Sequence, residues 1–178
     1  MRIIEFGTEQ TENGVQFKES FFPDPNVLEW RGVTVFGEIQ SDGSLHPMTS
    51  MLLAKAVVMA EKQNDKVQLL LIGNGLTESG KKYFANGVDR VFVYDDISLT
   101  NTNQTGYTGV LAHFIDNFKP AVMMFLATPL GSILSAKILS YVTSVGIQSE
   151  MITGYTMLPP EIRNSDKKGE LVICEIPN

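Results

Sequence analysis

The chain has 178 residues, 43% of them hydrophobic, and is therefore long enough to bury a sizeable core as one main domain. Its 14 basic and 20 acidic side chains give a formal charge of -6 without a basic stripe, which argues against nucleic acid as a partner. A single cysteine, Cys174, excludes an intrachain disulfide, and no apolar run approaches the ~18 residues of a membrane span. Because the start also lacks a signal-peptide pattern, we expect a soluble, cytoplasmic protein.

The first 32 residues carry scattered apolar side chains without a sustained period, among them Phe21, Phe22 and Trp30. We expect an N-terminal arm, residues 1–32, that packs on the main domain and covers an edge of it. The main domain then occupies residues 33–178, because regular patterns begin at Val33.

The first half of the main domain alternates between strand and helix patterns. The β-branched run 33–38 predicts a strand, and the helical spacing of apolar residues at 49–62 predicts a helix. The nearly continuous apolar run 67–72 predicts a second strand that is buried on both faces. A helix from about Thr77 to Asn86 is expected next, ended by the glycine that follows.

The second half continues the alternation with a third strand at 90–94. The clearest helix of the sequence follows, with apolar residues at offsets of 3, 4, 7, 8 and 11: Tyr107, Val110, Leu111, Phe114, Ile115 and Phe118. A fourth buried strand at 121–127, a helix at 132–144 and a short strand at 147–152 come next. The tail, with a charged turn at 166–169 and a strand at 171–176, is expected to add a hairpin to the sheet.

Strands that alternate with helices predict an α/β fold, because each crossover must return over a face of a parallel sheet. The expected architecture is a three-layer α/β/α sandwich with a mainly parallel, Rossmann-like sheet, of the type found in adenine nucleotide alpha hydrolase-like domains.

The candidate cofactor-binding residues are Thr128, Gly131 and Ser132. In an open parallel sheet, ligands bind beyond the carboxyl ends of the strands where the strand order reverses, which we expect between the first and fourth strands of the main domain. Loops 40–46 and 128–132 would face that crevice. There a hydroxyl and backbone N–H groups at a helix N-terminus suit a nucleotide phosphate. In the simpler interpretation, Thr128 and Ser132 only cap the helix.

Two acidic or glycine-rich segments invite other interpretations. Gly73 and Gly75 resemble the start of a dinucleotide motif, but Glu78 stands at the third glycine position, so a tight turn is the better interpretation. Asp95 and Asp96 end a strand without a third ligand at suitable spacing, which indicates a solvated turn rather than a metal site.

The remaining reactive side chains are isolated in the sequence. His46 and His113 belong to no metal or catalytic cluster, and we expect surface or half-buried positions for both. Cys174 alternates with apolar residues in a strand and is expected to be a small core residue rather than a nucleophile. No catalytic or metal-binding residue is therefore assigned.

Several segments occur in the order and spacing of a known family. These are VTVFGE at 33–38, LIGNG at 71–75, GVDRVFV at 87–93 and Lys119-Pro120 before the fourth strand. Over about 33–176 the chain resembles the N-terminal domain of the alpha subunit of electron transfer flavoproteins. Two features depart from the family pattern. The Gly-Arg-Asp-Leu that usually follows the fourth strand is replaced here around 131–134. We also expect this chain to lack the FAD-binding C-terminal domain of the family.

The resemblance implies a non-catalytic domain that docks a beta subunit in a heterodimer. It also implies that the assembled flavoprotein uses FAD to carry electrons from acyl-CoA or other dehydrogenases, while this chain alone does not hold the FAD. AMP belongs to the family's beta subunit, which leaves AMP binding possible here. The alternatives are a stand-alone adenine-nucleotide-binding module, supported by fold analogy alone, and an oligomeric structural domain without a ligand.

Overall fold

The fold is organised around one eight-stranded sheet with the strand order β2-β1-β5-β4-β3-β6-β8-β7. The computed structural model describes residues 1–84, 87–100, 103–153 and 171–177. The strands are β1 (Arg2–Thr11), β2 (Gly14–Phe21), β3 (Val33–Gly37), β4 (Val67–Gly73), β5 (Arg90–Asp95), β6 (Val122–Leu126), β7 (Ser149–Thr153) and β8 (Leu171–Ile176). The α-helices of the described residues are α1 (Thr49–Gln63), α2 (Gln104–Phe118) and α3 (Pro129–Ser144).

The sheet core is parallel from β5 through β4, β3, β6 and β8 to β7. Strands β3, β4 and β6 are buried along their whole length, as the sequence predicted for β4 and β6. Helix α1 packs on one face of the sheet, and α2 and α3 pack on the other, so two separate apolar cores flank the strands. The predicted three-layer α/β/α architecture is confirmed.

The first 21 residues form a β-hairpin that extends the sheet. Strand β1 pairs antiparallel with both β2 and β5, and its register sets Ile4 opposite Val93 and Phe6 opposite Val91. Ile4 and Phe6 are buried in the core on the α1 side. The sequence indicated an arm but no strands, because β2 is exposed on both faces and the alternation of Val15 and Phe17 with polar residues is too short to indicate a strand.

The prediction of a helix over 77–86 is wrong. In its place the structure has turns and a short 3₁₀ helix, Gly80–Tyr83, and Asn86 lies outside the described residues. Gly80 sits so close to the sheet that a Cβ there would lie 2.5 Å from the Val93 side chain and 2.7 Å from the Phe6 ring. This close approach presses the segment directly against β1 and β5.

The predicted C-terminal hairpin is also wrong. Strand β8 runs parallel to β6 and β7 and lies between them, which leaves β7 at the edge. The reason lies in burial, because nearly every residue of β8 is inaccessible to solvent and such a strand requires a neighbour on each side. The predicted turn at 166–169 lies outside the described residues.

In the parts of the chain that the structure describes, no helix is both long and apolar enough to cross a membrane.

Candidate functional site

The candidate crevice lies at the carboxyl ends of β3 and β6, which are neighbours in the sheet. The chain leaves β3 toward α1 on one face and leaves β6 toward α3 on the other face. The strand order therefore reverses between these two strands, which is where the sequence predicted it. In open α/β sheets this is the usual position of a ligand site.

Thr128 joins the two sides of the crevice through its hydroxyl group. As N-cap of α3, its Oγ1 accepts a hydrogen bond from the Gly131 N–H at 3.0 Å. The same hydroxyl donates to Glu38 Oε2, which is 2.5 Å away at the end of β3. The predicted capping role of Thr128 is thus present, and its hydroxyl has no further proton to offer a ligand.

Glu38 is the residue of this crevice that sequence analysis did not identify. It directly follows the fully buried β3, and its side chain is half-buried between β3 and the start of α3. The charge of Glu38 also acts on Tyr107 of α2. Burial raises the pKa of Tyr107 to about 12, and the negative charge of Glu38 adds to the shift. A charged residue immediately after a buried parallel strand was the available signal, because such strand ends line the crevice.

The first turn of α3 has few backbone donors left for a phosphate. Pro129 carries no N–H, the Gly131 N–H is bound to the Thr128 hydroxyl, and the Ser132 N–H donates to the Thr128 carbonyl at 2.9 Å. Ser132 lies inside the helix and does not cap it, while its own carbonyl accepts a hydrogen bond from Ser135.

Gly131 has a packing role in this turn. A Cβ at this position would overlap the backbone carbonyl of Leu126 at the end of β6. Glycine therefore lets α3 begin directly against the strand that precedes it. This close approach is sufficient to explain why position 131 is glycine, without a role in ligand binding.

The other loop of the crevice is stabilised by its own side chains. Asp42 Oδ1 accepts hydrogen bonds from the Ser44 N–H at 2.9 Å and from the Ser44 hydroxyl at 2.6 Å. These bonds lower the pKa of Asp42 below its usual value. The Ser44 hydroxyl also lies 3.1 Å from Gln40 Oε1, so the loop is a closed polar turn.

The two aspartates at the end of β5 are engaged in local structure. Asp95 accepts hydrogen bonds from the backbone of Gly75 and from both the backbone and the hydroxyl of Thr77, which ties the loop after β4 to β5. Asp96 accepts from the backbone and hydroxyl of Ser98 and pairs with the N-terminal amine of Met1 at 3.0 Å. The Ser98 bonds, together with this ion pair, lower the pKa of Asp96 to about 2. Within the described ranges, no group of three or more potential metal ligands occurs.

Of the two histidines and the cysteine, only His46 belongs to a crevice loop, where its backbone N–H donates to the Glu38 carbonyl at 2.8 Å. His46 Nδ1 accepts from the Met48 N–H at 3.2 Å, and His113 Nδ1 lies 2.9 Å from the hydroxyl of Tyr94. Cys174 is fully buried in β8, as expected, and burial raises the pKa of its thiol to about 12.

The fold and the crevice define a doubly wound α/β domain. At its switch point, the Glu38 carboxylate and the Thr128 hydroxyl are joined by a hydrogen bond. Residues 33–153 match the model of the electron transfer flavoprotein domain, and the chain belongs to that family. Its domain is of the N-terminal type found in the alpha subunits. The family resemblance seen in the sequence is thereby confirmed.

Three relatives show the extent of the similarity. The LctC subunit of lactate dehydrogenase (NAD(+),ferredoxin) from Acetobacterium woodii is 35% identical over 109 residues, which cover 61% of this chain and 26% of the relative. The electron transfer flavoprotein subunit alpha of Megasphaera elsdenii is 32% identical, covering 64% and 33%. That of Clostridium acetobutylicum is 29% identical, covering 79% and 40%. The chain thus matches well under half the length of each of these curated relatives.

Proposed function

We propose that this chain provides the beta-subunit-docking domain of a heterodimeric electron transfer flavoprotein in the cytoplasm. The family match and the alpha subunits among its relatives support this role. In the proposed complex, FAD carries electrons from acyl-CoA or other dehydrogenases to an acceptor. The domain itself acts as a scaffold and not as a catalyst.

The observation that carries the scaffold role is the hydrogen bond between Glu38 and Thr128. A dinucleotide pyrophosphate or an AMP phosphate placed at the switch point would meet the Glu38 carboxylate, and like charges repel. It would also find the N–H groups of Gly131 and Ser132 already bonded. The described residues of this crevice therefore do not fit the FAD pyrophosphate, and we assign FAD binding to the assembled flavoprotein.

Co-expression with an electron transfer flavoprotein beta subunit encoded in the same genome tests this proposal. We expect the two chains to co-purify in equal amounts, and the crevice variant Glu38→Gln to leave any flavin content unchanged. Gel filtration and the flavin absorbance spectrum are the measurements. Failure of the beta subunit to co-purify would reject the docking role, and flavin retained by this chain alone would reject the scaffold role.

A nucleotide-binding module remains the second candidate, because no acidic residue occupies the first turn of α3 and Ser132 is only half-buried. In this function Thr128, Gly131 and Ser132 would hold the phosphate of AMP or ATP. Calorimetry with both nucleotides distinguishes the two proposals. Binding that is lost in Thr128→Ala and Ser132→Glu, but kept in the exposed control Ser140→Glu, would favour the module. The scaffold role predicts no measurable heat of binding.

A further inference from the structure

Strand β2 forms one edge of the sheet. Among the described strands it pairs with β1 alone, over eight consecutive residue pairs without a bulge, and it contains no proline. Its residues are exposed along almost the whole strand. Natural sheets usually protect such edges with bulges, prolines, charged side chains or covering segments, because exposed N–H and C=O groups recruit another strand. In β2, Lys18 and Glu19 supply charge, but the strand has no bulge and no proline.

The outward hydrogen-bonding groups of β2 belong to its odd-numbered residues. The Phe22 N–H donates to the Ile3 carbonyl at 2.7 Å, so the even-numbered residues face β1 in the alternating antiparallel pattern. The main-chain groups of Val15, Phe17 and Glu19 then point away from the sheet. They are arranged as a docking strand would require.

Two of these residues, Val15 and Phe17, place apolar side chains on one face of the edge, and Glu19 follows them on the same face. Val15 is 66% exposed and Phe17 is 42% exposed, although the Phe17 ring also packs 5.6 Å from the ring of Phe84. Exposed apolar side chains next to unpaired main-chain groups are characteristic of strand-addition sites. These residues lie outside the segment that matches the family model, which begins at residue 33.

We propose that β2 is a homodimer interface at which two copies of the chain pair antiparallel, with the two-fold axis at Phe17. Charge excludes the registers centred on Lys18 and Glu19, and an axis at Phe17 pairs residues 14–20 of the strand, whereas an axis at Gln16 pairs only 14–18. Pairing centred on Lys18 or on Glu19 would place that charge opposite its own copy, which is destabilising. Pairing centred on Phe17 sets Phe17 opposite Phe17, Lys18 opposite Gln16 and Glu19 opposite Val15, without like charges in contact.

The proposed pairing joins the two sheets into one continuous sheet. The three outward-facing residue pairs supply about six main-chain hydrogen bonds, and the aromatic pair at the axis adds cross-strand packing. Strand β2 lies four strands from β3, roughly 19 Å away across the sheet, so the dimer leaves the crevice accessible. The inference therefore does not depend on the proposed function.

Sedimentation velocity of the full chain at increasing concentration tests for the dimer. We expect a concentration-dependent dimer whose dissociation constant rises roughly tenfold or more in Val15→Pro, because proline removes an outward N–H in each copy. Val58→Lys, an exposed site on α1, is the matched control and should leave the dimer intact. A chain that stays monomeric, or a dimer that Val15→Pro does not weaken, would overturn the proposal.

Cross-linking tests the register. In the proposed dimer the Cα atoms at position 17 lie about 5.5 Å apart, within reach of a disulfide, so Phe17→Cys should form a covalent dimer under a mild oxidant. The control Glu19→Cys places the thiols roughly 14 Å apart and should not cross-link. Cys174 is buried and does not compete. Equal cross-linking of both variants, or none in Phe17→Cys, would exclude this pairing.

Discussion

At the residue scale, Thr128 and Gly131 explain how the end of β6 and the start of α3 meet the end of β3. The Thr128 hydroxyl donates to Glu38 and accepts from Gly131, and Gly131 supplies the space that this turn requires. Both residues were expected from the sequence to face the crevice. Their contacts give them structural roles that a phosphate site would not require.

Replacement of Thr128 by valine should destabilise the fold. The variant keeps the shape of the side chain but removes both hydrogen bonds, and we expect the free energy of unfolding to fall by about 1–2 kcal/mol. Urea denaturation followed by circular dichroism measures it. Thr128→Ser keeps the hydroxyl and should stay close to the wild type. If the valine variant were as stable as the serine variant, the cap and its bond to Glu38 would contribute nothing.

Gly131→Ala and Gly109→Ala should change stability in opposite directions. The added methyl at position 131 overlaps the Leu126 carbonyl, and such overpacking typically costs about 1–3 kcal/mol. At Gly109, within α2, nothing lies within 4 Å of the added atom, so alanine should stabilise the helix by about 0.4–1 kcal/mol. The denaturation midpoints of the two variants are compared with that of the wild type. If both variants were less stable, the cause would be the replacement of a helical glycine itself and not the space around it.

At the element scale, β8 shows how burial decides the place of a strand. Its sequence indicated a strand, but the insertion between β6 and β7 arises from main-chain pairing on both edges. Cys174 lies within this strand, inaccessible to solvent. Its chemistry therefore reports on whether β8 is in place.

The Cys174 thiol should react only when the protein unfolds. Burial raises its pKa to about 12, and the negative charge of Glu150 adds to the shift. Because the folded pKa lies above the unfolded value of about 8.5, the neutral thiol stabilises the fold fully below pH ~8.5, and this contribution declines as the pH rises toward 12. We expect slow reaction with a chromogenic disulfide at pH 8 and immediate reaction in urea. Rapid reaction of the native chain would contradict the burial of β8.

At the scale of the whole molecule, the N-terminal hairpin is part of the fold, although the family match begins after it. Strand β1 covers the edge of β5, and Ile4 and Phe6 fill the core on the α1 side. Without the hairpin, the buried, apolar strand β5 would form this edge of the sheet; with the hairpin, β2 forms it. Beyond the proposed function, this edge is the surface that we assign to dimerisation.

Removal of residues 1–31 should make the remaining chain unstable and prone to aggregation. The truncation uncovers the apolar β5 edge and leaves space where Ile4 and Phe6 packed, a loss of several kcal/mol from two large side chains. Thermal unfolding and light scattering measure the effect. The full-length control Val58→Lys changes an exposed site on α1, away from the hairpin, and should keep its melting temperature. Equal stability of the truncated chain would show that the arm is dispensable.

The sequence by itself determined the α/β class, the family and the elements with strong periodicity. Apolar residues at helical spacing predicted α1 and α2, a β-branched run predicted β3, and apolar runs predicted β4 and β6, because burial on one or both faces leaves a direct pattern in the sequence. The switch point followed from the order of these elements. Thr128 was identified by its position at a helix start.

Only the tertiary structure decided the remaining features. The hairpin of β1 and β2, the 3₁₀ segment at Gly80 and the parallel placement of β8 depend on contacts between residues that are distant in the chain. Glu38 was missed for the same reason, since its partner Thr128 is 90 residues away. A local sequence pattern indicates whether a residue is buried. It does not indicate which residue packs against it or accepts its hydrogen bond, because those partners depend on the order of the strands in the sheet.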